Sequence, residues 1–268
     1  MLYGLCWMFC EKGISQLAHL PVSTGDIRSG AYSTHFADAF SFAANAASLG
    51  AAKEILCGLS LERKWMLKEL NHYELAGSFG RGHGGIGVAL AYSGDADYHE
   101  QAIKLAYGKN LGKLEVGIFF NYLNNQAAGY SSIGYAYCGA GIRFHVSEKL
   151  ISGWELSLPV MGQLGKQNPE TGPRQYALGF GYEANASLFM AAQLVKESGV
   201  PMNLIVSVEY RYADQFLFSF GIESGIGSPY FKTGWKKNQL CIQLYSVYHP
   251  VLGFSPGLQL LWQKKNKK

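Results

Sequence analysis

The sequence predicts an all-β protein: a transmembrane antiparallel up-and-down β-barrel of about 14 strands, with an N-terminal plug segment in the lumen. Three observations predict it. From Glu54 onward, large apolar residues alternate with tiny, polar or charged ones in one short run after another, the period of a strand with two unlike faces. No stretch of roughly 18 or more residues is continuously apolar, so a membrane-spanning helix is excluded and a closed barrel is the only spanning alternative. The connections between runs are alternately short and long, as in outer-membrane barrels.

The strand pattern is plainest at 85–93, GIGVALAYS, where Ile86, Val88, Leu90 and Tyr92 share one face and Gly85, Gly87, Ala89 and Ala91 the other. Residues 174–182 repeat it, with Tyr176, Leu178, Phe180 and Tyr182 against Ala177, Gly179 and Gly181. A water-soluble sandwich buries its apolar face and seldom places glycine and alanine on the wet one. A barrel with lipid outside and a restricted polar lumen accounts for both faces. Strands are expected near 55–62, 72–79, 85–93, 100–108, 114–123, 134–146, 150–158, 174–182, 188–196, 202–213, 216–222, 230–236, 240–248 and 256–262. Connections after even-numbered strands are tight, which places the short turns and both termini on the periplasmic side of a bacterial outer membrane. Tyr73, Tyr92, Tyr107, Tyr122, Tyr182, Tyr212, Trp154, Trp235 and Trp262 have outward parity near strand ends, where aromatic girdles belong.

Residues 1–25 form a leader segment. Its apolar stretch Met1–Cys10 lacks a preceding Lys or Arg, so it reads either as a shortened signal sequence or as a short amphipathic lead. Residues 26–53 form the plug or hatch, 54–262 the barrel, and 263–268 a basic, solvated tail. The plug centres on Gly30–Leu49, GAYSTHFADAFSFAANAASL, rich in small residues and without a regular period.

Charged residues make up only 16% of the chain, and the net charge is +4 without a basic stripe, so no nucleic-acid partner is expected. Five widely spaced cysteines and scattered histidines give no metal site and no disulfide framework. No cofactor is implied. Gly80–Gly85, GRGHGG, superficially resembles a phosphate loop but joins two strands, and reads as a glycine-rich turn. With no Gly-x-Ser-x-Gly elbow, catalytic residues are absent from the reading, and the chain is taken as a non-enzyme.

Inward parity gathers Glu62, Glu74, Lys104, Glu115, Arg143, Glu155, Glu209, Arg211, Glu223 and Lys232 in the lumen. Glu74, Lys104, Arg143, Glu155, Glu209 and Arg211 are the candidates for lining a solute path. Arg143 and Glu155 are expected to pair diagonally across a hairpin. The bland alternative is that these charges satisfy one another and the plug.

Gly30-Ala31-Tyr32, then Ala37-Asp38-Ala39, then Asn45-Ala46-Ala47-Ser48-Leu49, ahead of a fourteen-strand pattern, resembles the superfamily of the fatty-acid transporter FadL and the secretion-linked barrel PorV. Ala46 stands where that pattern has Pro, and Ser48 where it has Gly. The resemblance implies a hatch, with Asp38, Asn45 and Leu49 in it and Asp38 and Asn45 as anchors to lumen charges. It implies two functions. One is FadL-like passive transport of small hydrophobic or amphipathic solutes. The other is a PorV-like, non-transporting subunit of a secretion or outer-membrane assembly machine. The partners are accordingly outer-membrane lipid, a hydrophobic small molecule, or proteins of such a complex.

Overall fold

The computed structural model describes residues 29–264, apart from 82, 131, 161–173 and 226. The leader and the last four residues of the tail lie outside the described residues. Fourteen strands follow in order: β1 (Ile55–Arg63), β2 (Asn71–Gly80), β3 (Gly84–Gly94), β4 (Tyr98–Asn110), β5 (Leu114–Ala127), β6 (Ile133–His145), β7 (Leu150–Pro159), β8 (Gln175–Asn185), β9 (Leu188–Glu197), β10 (Asn203–Tyr212), β11 (Phe216–Glu223), β12 (Ser228–Lys237), β13 (Leu240–His249) and β14 (Gly253–Lys264). Each pairs antiparallel with its neighbours in sequence, and β1 closes on β14 from Ile55↔Lys264 to Glu62↔Gly257. Closure removes both sheet edges, so every strand's backbone groups find a ladder partner.

All fourteen expected strands form, each within a few residues of its predicted bounds. β5 runs four residues past its expected end, to Ala127, and β14 begins at Gly253 and continues through Gln263 and Lys264, so the tail's first two residues belong to the wall. Pro256 is tolerated inside this strand with its side chain outward. The β2–β3, β4–β5, β8–β9 and β12–β13 turns span two or three residues each, whereas β1–β2 takes 64–70 and β7–β8 takes 160–174. The start of β1 and the end of β14 lie at the short-turn end. Short side chains close these turns: Asn185 Oδ1 accepts from Ser187 N (2.8 Å) and Leu188 N (2.9 Å), the local bond that makes Asn a turn former.

The two faces divide as the alternation predicts. Ile86, Ile118, Phe220 and Leu244 stand outward and exposed, Ile118 by 62%, in a continuous apolar belt that only lipid covers without cost. The inward positions are small or polar. Residues 29–52 pack against them, beginning with a 3₁₀ turn (Ser29–Tyr32), then the one-turn helix α1 (Ser41–Ala44), then a second 3₁₀ stretch (Ala46–Ala51).

Inward glycines make that packing possible. A Cβ on Gly58 would lie 2.6 Å from Phe40, on Gly87 2.9 Å from Phe42, on Gly108 2.7 Å from the Gly50 nitrogen, and on Gly153 2.8 Å from Tyr32. At Gly117, Gly141, Gly179 and Gly181 it would also collide with Ala46, Asn45 or Tyr32. Gly80 and Gly85 serve the same end, pressed by Ala52 and Leu49 at the ends of β2 and β3, and the expected tight turn lies between them, with Arg81 N donating to Gly84 O at 3.1 Å. Phe40, Phe42, Ala46 and Leu49 then join Ala76, Ala89, Ala106 and Phe119 of the wall in one apolar cluster.

The expected outcome of Gly117→Val is destabilisation by about 1–3 kcal/mol, because the added carbons meet rigid backbone at Ala46–Ala47. Gly77→Ala, where the nearest atom is Leu56 O at 3.8 Å, should be silent. Urea midpoints of the heat-modifiable folded band in detergent distinguish the two.

Candidate functional site

An irregular segment carries backbone N–H and C=O groups that no ladder satisfies, and buried ones need partners. Here the wall's charged side chains supply them. Arg143 of β6 is fully buried. Its Nη1 donates to Ala31 O at 2.6 Å, while its Nε lies 2.7 Å from Glu115 Oε2. Glu115 stands directly opposite on β5, and His145 Nε2 is 3.2 Å from its other oxygen. Arg143 therefore pairs across the β5–β6 rung and not diagonally with Glu155, because a direct rung is shorter than the diagonal.

Glu155 of β7 turns to the segment instead. Its Oε2 accepts from Ala46 N at 2.8 Å, and Oε1 lies 3.6 Å from Lys104 Nζ. Lys104 of β4 donates to Ala43 O at 2.8 Å and sits 4.1 Å above the Phe119 ring. Proline at position 46 could not make the bond to Glu155. Alanine at this position thus allows a tether that proline would not.

At the other end of the segment, Glu183 of β8 accepts four bonds through its two oxygens: from Ser33 Oγ (2.5 Å), Thr34 N (2.6 Å), His35 N (3.1 Å) and the His35 ring (2.5 Å). Arg211 of β10 donates to His35 O at 3.0 Å and stacks 3.9 Å over Phe36, which in turn stacks on Phe189. Burial pushes the Tyr32 phenol well above its ordinary pKa, so this ring stays neutral where it lies over Gly179.

Of the sequence candidates, Lys104, Arg143, Glu155 and Arg211 are brought together on the segment. Glu74 and Glu209 face inward, Glu74 beside His72 (3.9 Å) and Glu209 beside Arg211 (3.7 Å). Asn45 binds the wall through backbone, donating to Ile142 O and Trp154 O at 3.3 Å each while its Oδ1 takes Ala47 N at 3.0 Å. Its contacts are with backbone and not with lumen charges. Asp38 Oδ1 accepts from Phe40 N and Ser41 Oγ, both at 2.9 Å, and so shapes the turn into α1. Leu49 lies in the apolar cluster. Sequence reasoning missed Glu183, which fell at the end of a tight turn. The signal was present: Tyr182 has outward parity, so Glu183 faces inward.

No family model matches the sequence, and no curated protein is detectably similar to it. Solved structures do resemble it. The CymD monoaromatic hydrocarbon channel superposes with a TM-score of 0.60 at 10% identity, over 86% of this chain and 93% of that one. The likeness shows the fold. The Pseudomonas putida toluene transporter TodX gives 0.57 at 9% identity over 84% and 93%. The Acinetobacter baumannii outer membrane protein Omp33 gives 0.50 at 8% over 80% and 100%. The chain therefore has the architecture of outer-membrane channels without detectable kinship in sequence.

Replacing Glu183 by Ala leaves the Ser33, Thr34 and His35 donors without their acceptor, a loss of about 1–3 kcal/mol for each donor that stays dry. Hydrogen exchange should rise in residues 30–36 while the barrel ladders stay protected. Unchanged exchange there would mean that this carboxylate does not hold the segment.

Proposed function

We propose that this chain is an outer-membrane barrel for passive passage of small hydrophobic or amphipathic solutes, in which residues 26–53 act as a hatch whose described part, 29–52, is seated against one wall. The observation that carries the reading is the combination of a lipid-facing apolar belt with an inner wall reserved for a chain segment. The likeness to hydrocarbon channels supports it as an analogy of fold. The tethers at Arg143, Glu155, Lys104 and Glu183 favour a hatch that opens rarely and shifts locally, over one that leaves the barrel. Glu74, Glu209 and Arg211 then line the path beside it. The termini and short turns are assigned to the periplasmic side, as in other barrels of this kind.

A second reading is the non-transporting subunit of a secretion or assembly complex. The buried Arg143–Glu115 pair and the paired Lys104–Glu155 favour it, since a lumen closed by satisfied charges needs no solute to explain it. Detergent extraction at native expression, followed by pull-down, separates the readings: recovery of the barrel alone weighs against the complex.

For transport, Ala46→Pro is the informative variant. Asn45 already has the extended backbone that precedes proline (φ −154°, ψ 113°), and a first helical position accepts proline's fixed φ. The change removes the N–H to Glu155 with the local fold kept. Cells expressing the wild type should take up small aromatic solutes faster than cells without it, and Ala46→Pro should raise planar-bilayer conductance above wild type. Equal uptake with and without the protein would sink the transport reading.

A further inference from the structure

Four strands run out at the short-turn end on the same three-residue pattern. β2 leaves as Phe79-Gly80-Arg81, β4 as Tyr107-Gly108-Lys109, β12 as Trp235-Lys236-Lys237 and β14 as Trp262-Gln263-Lys264. A ring and a cation two residues apart share one face of a strand. Here that face is the outer one: the four rings are 38–46% exposed within the apolar belt, and all four cations are exposed. Arg81 Cζ lies 5.8 Å from the centroid of the Phe79 ring, and Lys237 Nζ lies 5.9 Å from that of Trp235. These two charges therefore stay on the lipid side of the wall.

The pattern occupies one arc of the rim. β12, β14, β2 and β4 alternate with β13, β1 and β3 around the closed sheet, so the four sites span seven adjacent strands, half the wall. Lys53, which precedes β1 with the parity of Ile55 and Cys57, is exposed in the same arc. Glu54 beside it is half-buried and accepts from Gln263 Nε2. On the other even-numbered strands the outward ring is followed by Val146 after Phe144, Ala184 after Tyr182 and Asp214 after Tyr212. Cations kept only for solubility would have no reason to follow the rings, or to stop at β4.

Outward aromatic residues mark the edge of the hydrocarbon in a barrel of this kind. A strand rises about 3.3 Å per residue, so each cation stands roughly 7 Å further along its strand, where the headgroups begin. A long basic side chain there keeps its methylenes against the ring and its charge among the phosphates. Positive charge along half of the circumference complements a negatively charged lipid layer. Zwitterionic headgroups carry an ammonium beside each phosphate and gain less. We propose that this arc binds the headgroups of anionic phospholipid in the leaflet that meets the short turns, and so gives the barrel a lipid-selective side. The site is continuous with the lipid-facing belt and does not depend on whether a solute crosses the lumen.

Spin-labelled phosphatidylglycerol and phosphatidylcholine, each added in trace to the full chain in phosphatidylcholine vesicles, test the site. Electron spin resonance resolves the motionally restricted lipid at the protein boundary and gives the ratio of the two association constants. A neighbouring cation is worth about fivefold in occupancy by an anionic lipid. Averaged over both leaflets and the whole circumference, the wild type should prefer phosphatidylglycerol about twofold, and about 1 M salt should abolish the preference. Arg81→Gln, Lys109→Gln, Lys237→Gln and Lys264→Gln together should bring the ratio to about one. Lys68→Gln, Lys113→Gln and Lys149→Gln together, at exposed loop and turn positions, should leave it near the wild-type value. Heat-modifiable migration confirms that each variant is folded. Equal ratios in the wild type and the arc variant would overturn the lipid and leave an acidic protein as the arc's partner. A loop-and-turn variant that falls as far as the arc variant would also overturn the site, because net charge would then set the ratio.

Discussion

The structure depends on how an irregular chain segment is kept inside a wall of β-strands. Strands satisfy one another, whereas residues 29–52 make few ladder or helix bonds of their own, and their amides and carbonyls are mostly shielded from water. The wall answers with sign-matched side chains. Cations meet carbonyls, at Arg143 to Ala31 O, Lys104 to Ala43 O and Arg211 to His35 O. Carboxylates meet amides, at Glu183 to Thr34 and His35 and Glu155 to Ala46. Charge-assisted bonds of this kind are roughly twice as strong as neutral ones. A few suffice to seat a segment that has almost no secondary structure.

Steric room and polar satisfaction come from adjacent inward positions of the same strand. β5 carries Glu115 and Gly117, β6 Gly141 and Arg143, β7 Gly153 and Glu155, and β8 Gly181 and Glu183. The glycines let the segment come close, by its backbone at Gly117 and Gly181 and by its side chains at Gly141 and Gly153, while Arg143, Glu155 and Glu183 bond its polar groups and Glu115 holds Arg143. A charge beside a bulky inward residue would be held off the segment, and a glycine beside an apolar residue would bring the segment close with its polar groups unmet.

That pairing explains which parts of the fold were legible in the sequence. Alternation reports burial on one face per strand, so the strands, the outward aromatics and the inward charges could all be read from single positions. Partnership could not, because it depends on register. Arg143 has Glu115 across one rung and Glu155 on the diagonal of the next, and parity alone treats them alike. Glu183 was hidden by an adjacent turn signal, Ala184-Asn-Ala186, although its parity was sound. Gly80–Gly85 was legible as the tight connection it is, but that Gly80 and Gly85 also make room for Ala52 and Leu49 shows only in the packing.

Alanine, and not proline, at position 46 bears most directly on how the segment behaves. Proline would pre-set the turn covalently and leave Glu155 to Lys104 alone. Alanine hands the turn to hydrogen bonds instead: Asn45 caps Ala47, and Glu155 holds Ala46. A turn fixed by proline moves as a unit and can leave the wall without losing its shape. A turn fixed by the wall keeps its shape only while it is seated. Displacing it would take Ala31 O from Arg143 and Ala46 N from Glu155, leaving each charge only its wall partner, and each hydrogen bond left unmade in a buried site costs about 1–3 kcal/mol. The segment and the wall therefore form one cooperative unit, and any solute must pass beside the segment or admit water first.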